Sequence, residues 1–106
     1  MKSTNRIARF ASMLGTLGHE ARLSVLRLLL AHHPAGLVPS EIQEKTGVPA
    51  STLSRHLDLL RRHGLIDRRR EGRFLRYRIH EANLRELLAF LLEECCSACG
   101  LRLRKA

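Results

Sequence analysis

Residues 37–66 read LVPSEIQEKTGVPASTLSRHLDLLRRHGLI. This stretch predicts two helices, over Ser40–Thr46 and Ala50–His63, separated by a short turn at Gly47. A proline precedes each helix and suits its first turn, because the missing N–H would have no partner there. Two helices joined by a short turn that contains glycine form a helix-turn-helix, which we predict for residues 39–63.

Helices are also predicted on both sides of this motif. Apolar residues at helical spacing indicate helices over Asn5–Leu17 and His19–His33 before it, and over Ala82–Cys99 near the end of the chain. Between the motif and the last helix, residues 65–80 predict a two-stranded hairpin turning at Glu71–Gly72. In its second strand Leu75, Tyr77 and Ile79 alternate with Arg76 and Arg78. The sequence therefore predicts one mainly α-helical domain of 106 residues, a winged helix-turn-helix in the order α-α-α-α-β-β-α.

The chain is basic, and its positive charge is concentrated in one region. It has 19 lysines and arginines against 10 aspartates and glutamates, a net charge of +9. Residues 51–78 hold nine of the arginines and three of the acidic residues, so +6 of that charge falls on the second motif helix and the hairpin. This concentration favours a polyanionic partner over a generally basic surface.

The residue types in this region suit double-stranded DNA. The first residues of the second motif helix would meet base edges in the major groove, and arginines near the hairpin tip would reach phosphates or the minor groove. The predicted DNA contacts are Ser51, Thr52, Ser54, Arg55, His56, Arg69, Arg70 and Arg73. With one tyrosine, three phenylalanines and no tryptophan, the chain lacks the aromatic platforms that single-strand binding uses.

The sequence favours neither an enzyme nor a membrane protein. It contains no nucleophile–base pattern, phosphate-binding loop or paired carboxylates of a catalytic site. The longest apolar run, Leu87–Leu92, is far shorter than the ~20 residues that span a bilayer. The N-terminus has no signal-peptide segment, so we expect a cytoplasmic protein.

All three cysteines lie together near the end of the last predicted helix, in residues 93–100, EECCSACG. At about 100° per residue, Cys95, Cys96 and Cys99 fall at about 0°, 100° and 40° around the helix axis, within one face. Thiolates bind soft ions, and three of them without a fourth ligand suit trigonal As(III) or Sb(III) better than tetrahedral Zn(II). We therefore predict a metalloid site at these residues.

The cysteines are also compatible with roles other than metalloid binding. Cys95 and Cys99 would serve as small apolar side chains that extend the buried face of the last helix. Cys96 and Cys99 form a Cys-x-x-Cys pair, so a thiol-oxidation switch is an alternative, although the βαβ unit of thioredoxin-like proteins is lacking. A site for another thiophilic metal, Cd(II) or Zn(II), is the remaining alternative.

Three stretches carry a resemblance to a known family: LGHEARLSVLRLLL (17–30), STLSRHLDLLRRHGLI (51–66) and REGRFLRYRI (70–79). In order and spacing they resemble the ArsR/SmtB family of winged-helix repressors. The resemblance covers about residues 8–99. It implies a homodimer with an interface made by the first and last helices, here 5–17 and 82–99. It also implies repression of an operon through operator binding, with release when an inducer binds.

Within that family the inducer site differs between members. The first motif helix, SEIQEKTG, has no cysteine, and the last helix has no histidine after His80, so two of the family's metal sites are absent. What remains resembles the arsenic-responsive type, whose last helix ends in a vicinal cysteine pair with a third cysteine downstream. The resemblance therefore implies Cys95 and Cys96 as ligands, and the spacing adds Cys99.

Overall fold

The structure is a computed structural model that describes the backbone of residues 2–95 and the side chains of residues 5–94. The elements are α1 (Lys2–Leu17), α2 (Glu20–Ala31), α3 (Pro39–Thr46), α4 (Ala50–Arg62), β1 (Ile66–Glu71), β2 (Phe74–Ile79) and α5 (Glu81–Phe90), which continues as a π-helical turn over Leu91–Cys95. This order confirms the predicted winged helix-turn-helix. The last four residues of the predicted final helix lie outside the described residues.

One apolar core joins the helices to the base of the hairpin. On α4 the side chains of Leu53, Leu57 and Leu60 are buried, as their helical spacing predicts. They pack with Ile42 of α3 and with Leu29 of α2, both fully buried. Each such side chain contributes about 1.5–3 kcal/mol when it leaves water, so the core holds the helix-turn-helix against α2.

The hairpin is antiparallel and is fixed to the body at its base. Leu37, in the connection between α2 and α3, exchanges two backbone hydrogen bonds of 2.8 Å with Tyr77 of β2. Gly36 lies beside this contact with φ +79°, and a Cβ there would collide with the Tyr77 carbonyl oxygen. Glycine is therefore required where the chain crosses the base of the hairpin.

Polar and aromatic contacts tie α1 and α5 to the end of α4. The rings of Phe10 and Phe90 stack with their centroids 4.7 Å apart. Arg9 donates to Oδ1 of Asn83 over 2.8 Å. The side-chain amide of Asn83 in turn donates to the carbonyl oxygen of Gly64, just beyond α4, over 2.9 Å. The position of α4 is thereby coupled to the packing of α1 on α5.

Helices α1, α2 and α5 leave large apolar side chains on the surface, those of α2 being Leu23 and Leu30. Ile7 and Leu14, seven residues apart on one face of α1, are 54% and 42% exposed, and Leu88 of α5 is 49% exposed. Leu92 continues that face of α5 into the π-helical turn and is 36% exposed. Exposed apolar side chains of this kind mark an interaction site where they form a continuous patch. Within the part of the chain that the structure describes, no helix is long and apolar enough to cross a bilayer.

Candidate nucleic-acid interface

The face of α4 opposite the core carries the polar side chains that the sequence predicts for DNA contact. Ser51, Thr52, Ser54 and Arg55 are all exposed. The N-cap residue, Pro49, provides no side-chain hydrogen bond to the first turn. The N–H groups of that turn therefore remain available beside the hydroxyls of Ser51 and Thr52. This arrangement suits phosphate oxygens.

The arginines of α4 differ in whether a carboxylate neutralises them. Arg61 and Arg62 both contact Asp58, with N–O distances of 3.3 and 2.6 Å. Among the described residues, none of the acidic groups lies within 4.0 Å of the Arg55 guanidinium. Arg55 is therefore the cation of this helix that is available to an external anion.

The structure corrects the prediction that His56 contacts DNA. Its side chain is only 6% exposed, and its ring centroid lies 4.9 Å from that of His19. Its Nδ1 is 3.4 Å from Nη1 of Arg22 on α2. His56 follows Leu53 by three residues and precedes Leu60 by four, so the helical period places it on the buried face. This helical period can be read from the sequence, and it distinguishes the buried His56 from the exposed Arg55.

The arginines of the hairpin divide between its two faces, because side chains alternate along each strand. The outer face carries Arg69, Arg76 and Arg78 together with two carboxylates. Glu71 contacts Arg76 at 2.8 Å and Arg69 at 3.6 Å, and Asp67 contacts Arg78 at 2.9 Å. These ion pairs neutralise much of the charge of the outer face.

The other arginines of the hairpin have no such partners. Among the described residues, Arg68, Arg70 and Arg73 have no carboxylate within 4.0 Å. Arg70 and Arg73 are exposed, as the prediction of DNA contact requires, whereas Arg69 shares the Glu71 carboxylate. The sequence prediction omitted Arg68, although it begins the run of three arginines that signals this patch.

Comparison with known proteins supports the helix-turn-helix assignment. Residues 17–69 match the profile of a family described as a helix-turn-helix domain. An HTH-type transcriptional regulator of Mycobacterium tuberculosis H37Rv is 35% identical over 79 residues, which cover 74% of this chain and 68% of the relative. This chain belongs to the ArsR/SmtB-type family of helix-turn-helix transcriptional regulators.

Two further comparisons agree with this ArsR-type assignment. The biofilm growth-associated repressor of Agrobacterium fabrum is 34% identical over 92 residues, which cover 87% of this chain and 76% of the repressor. A solved ArsR-like transcriptional regulator from Rhodococcus sp. RHA1 superposes with a TM-score of 0.78 at 25% identity, over 90% of this chain and 87% of that one. These proteins are regulators and not enzymes, in agreement with the expectation from the sequence.

The predicted metalloid site of this ArsR-type chain lies beyond the described side chains. Cys95 has a described backbone in the π-helical turn, and Cys96 and Cys99 lie outside the described residues. Among the side chains of residues 5–94, no three metal-ligating groups are placed to hold an ion. Glu94, directly before the cysteines, contacts Arg6 of α1 at 2.5 Å. The helix end that leads into the cysteines is therefore tied to α1.

We expect the buried histidine to give this regulator a pH-dependent stability. Burial lowers the pKa of His56 from 6.5, and the neighbouring His19, Arg22 and Arg55 lower it further. As the pH falls below about 6.5, the unfolded chain takes up this proton before the folded chain does, so the free energy of unfolding decreases until the folded pKa is reached. We expect urea unfolding to show this decrease between about pH 7.5 and 5.5, and a smaller decrease for His56→Gln.

The Glu71 carboxylate does not interfere with that measurement. The pKa of Glu71 is lowered from 4.5 by its hydrogen bond with Arg76, so this group titrates below the pH range used. The same pH dependence in the wild type and in His56→Gln would contradict the prediction. Arg27→Ala, which changes an exposed cation elsewhere on α2, is the matched control and is expected to keep the wild-type pH dependence.

Proposed function

We propose that this protein is a homodimeric, cytoplasmic transcriptional repressor that binds operator DNA and releases it when trivalent arsenic or antimony binds its C-terminal cysteines. The observation that carries the DNA-binding part is the exposed face of α4. There Arg55 stands beside three hydroxyl side chains and has no carboxylate partner among the described residues, whereas Arg61 and Arg62 are paired with Asp58.

The chemistry of that face fits the major groove. An arginine side chain donates two parallel hydrogen bonds to O6 and N7 of guanine, the commonest specific contact between proteins and DNA. The hydroxyls of Ser51, Thr52 and Ser54 bond to base edges or to phosphate oxygens. Arg70 and Arg73 of the hairpin then neutralise phosphates beside the groove, which adds affinity without sequence preference.

The exposed apolar side chains of α1 and α5 support the homodimer. Ile7, Leu14, Leu88 and Leu92 would leave water when a second copy covers these helices. A dimer with two-fold symmetry presents two copies of α4 to the same face of the duplex. Its operator is therefore expected to contain two inverted half-sites about one helical turn apart. The relative from Agrobacterium fabrum is named a repressor, which supports repression as the sign of the regulation.

The cysteines are proposed as the inducer site. Arsenous acid, As(OH)₃, exchanges its three hydroxides for the sulfurs of Cys95, Cys96 and Cys99, and the three thiol protons leave with them as water. A ligand shifts the protein between two states only through its different affinity for each. The contacts of Glu94 with Arg6 and of Arg9 with Asn83, together with the bond from Asn83 to Gly64, support a route from the cysteine end to α4.

Operator release tests this proposal. An operator is first selected from random duplex DNA with the wild-type protein, and its binding is followed by fluorescence anisotropy in a reducing buffer. We expect arsenite and Sb(III) to weaken binding by about 5- to 150-fold, the usual range of allosteric coupling, and Zn(II) and Cd(II) to act less. Serine in place of each cysteine is expected to reduce the response, and Ser97→Ala in the same segment to retain it.

Two results would count against the inducer assignment. Release by arsenite that survives all three cysteine substitutions would place the inducer elsewhere. Release by hydrogen peroxide but not by arsenite would favour the thiol-oxidation alternative, in which Cys96 and Cys99 form a disulfide.

A further inference from the structure

Phe74 is a large apolar side chain that the core does not use. At 57% it is the most exposed large apolar side chain among the described residues. It begins β2 on the outer face of the hairpin, opposite Glu71, whereas Leu75 and Tyr77 turn towards the core. Packing within the protomer therefore does not account for an aromatic residue at this position.

The surroundings of Phe74 are cationic. The one carboxylate beside it, Glu71, has both oxygens engaged, Oε1 by Arg76 and Oε2 by Arg69. Arg70 and Arg73, on either side of the turn, are exposed and lack a carboxylate within 4.0 Å among the described residues. Phe74 thus lies at a hairpin tip that carries more arginines than carboxylates, which fits a partner that presents an apolar surface between two rows of negative charge.

The hairpin that carries Phe74 is tied to the body of the protein. Arg76 donates to Glu71 at the tip over 2.8 Å and to the carbonyl oxygen of Gly36 in the body over 3.2 Å. Together with the two backbone bonds between Leu37 and Tyr77, this contact restrains the tip relative to α4. A residue held in this way meets its target with little loss of conformational entropy.

We infer that Phe74 enters the DNA minor groove beside each half-site and inserts at a base step, which it partly unstacks. This inference rests on the proposed function, because it requires α4 in the neighbouring major groove. Minor-groove proteins insert phenylalanine and other apolar side chains between base steps, and arginines favour the same groove where it is narrow. Phe74 thereby reads the deformability of the flanking sequence, with preference for the flexible pyrimidine–purine steps.

Salt dependence separates this contact from those of the arginines. A phosphate contact releases counterions, and each one contributes about −0.9 to the slope of log K against log salt, whereas an apolar contact leaves the slope unchanged. We expect Phe74→Ala to weaken operator binding roughly tenfold with the wild-type slope. Arg70→Ala is expected to weaken binding and to make the slope shallower by about one unit. Phe74→Trp is expected to retain most of the affinity.

A fluorescent base reports the contact directly. With 2-aminopurine placed in the operator flank, wild-type protein is expected to raise its fluorescence as the step unstacks, and Phe74→Ala is expected to leave it unchanged. Unchanged operator affinity of Phe74→Ala would overturn the inference while the proposed function stands, provided that Arg55→Ala still loses binding. A change in oligomeric state on Phe74→Ala would instead assign the ring to a protein contact. Failure of the wild type to bind any duplex would overturn both proposals.

Discussion

Changing Leu88 to glutamate is expected to convert the homodimer to a monomer and to weaken operator binding by more than about 100-fold. Leu88 is 49% exposed in the protomer, so the substitution leaves the core intact. In the proposed dimer it would bury a carboxylate without a partner, which costs more than the interface gains at that position. Binding of two linked half-sites exceeds binding of one by a factor of about 10² to 10⁴, and a monomer loses that factor.

Sedimentation equilibrium measures the oligomeric state, and fluorescence anisotropy measures binding to the selected operator. Leu23→Glu is the matched control, because Leu23 is 53% exposed but lies on α2, outside the proposed interface. We expect that variant to remain a dimer. A dimeric Leu88→Glu protein, or equal dissociation of both variants, would show that α1 and α5 do not form the interface.

Arg55→Ala is expected to have the largest effect among substitutions on the DNA-binding face, a loss of operator affinity of about 5- to 150-fold. This range corresponds to about 1–3 kcal/mol for a bidentate contact with guanine. The loss should be accompanied by relaxed preference at a single base pair of each half-site. Arg55→Lys should restore little, because an ammonium group cannot reproduce the planar pair of donors.

Arg62→Ala is the control for charge alone. Its side chain is 67% exposed on the same helix, but its guanidinium contacts Asp58 at 2.6 Å. We expect a loss of less than about threefold for this variant, because the Asp58 carboxylate already neutralises its guanidinium in the free protein. Titration of both protein variants against the operator and against its single-base variants distinguishes a base-specific contact from an effect of charge alone. An equal loss for Arg55→Ala on every sequence would mean that Arg55 contacts phosphate and reads no base.

The predictions from sequence succeeded where the signal is local. Pro39 and Gly47 bracket α3, and the alternation from Leu75 to Ile79 identifies β2, since turns and strand faces depend on residues a few positions apart. The prediction for His56 was wrong although a local signal, the helical period of α4, was present. It came from grouping the first residues of α4 by their position along the chain, whereas the burial of each depends on its direction around the helix axis.

The sequence by itself determined the order of the elements, the concentration of arginines on α4 and the hairpin, and the grouping of the cysteines. Tertiary structure decided which hairpin arginines remain available, because Glu71 and Asp67 neutralise Arg76 and Arg78 across the two strands. Arg78 meets Asp67 across 11 positions, and Arg9 meets Glu86 across 77. Charge counted along a sequence cannot distinguish Arg70, which lacks a carboxylate partner among the described residues, from Arg76, which contacts Glu71. The distinction is a matter of a few ångströms in space, and folding fixes those distances.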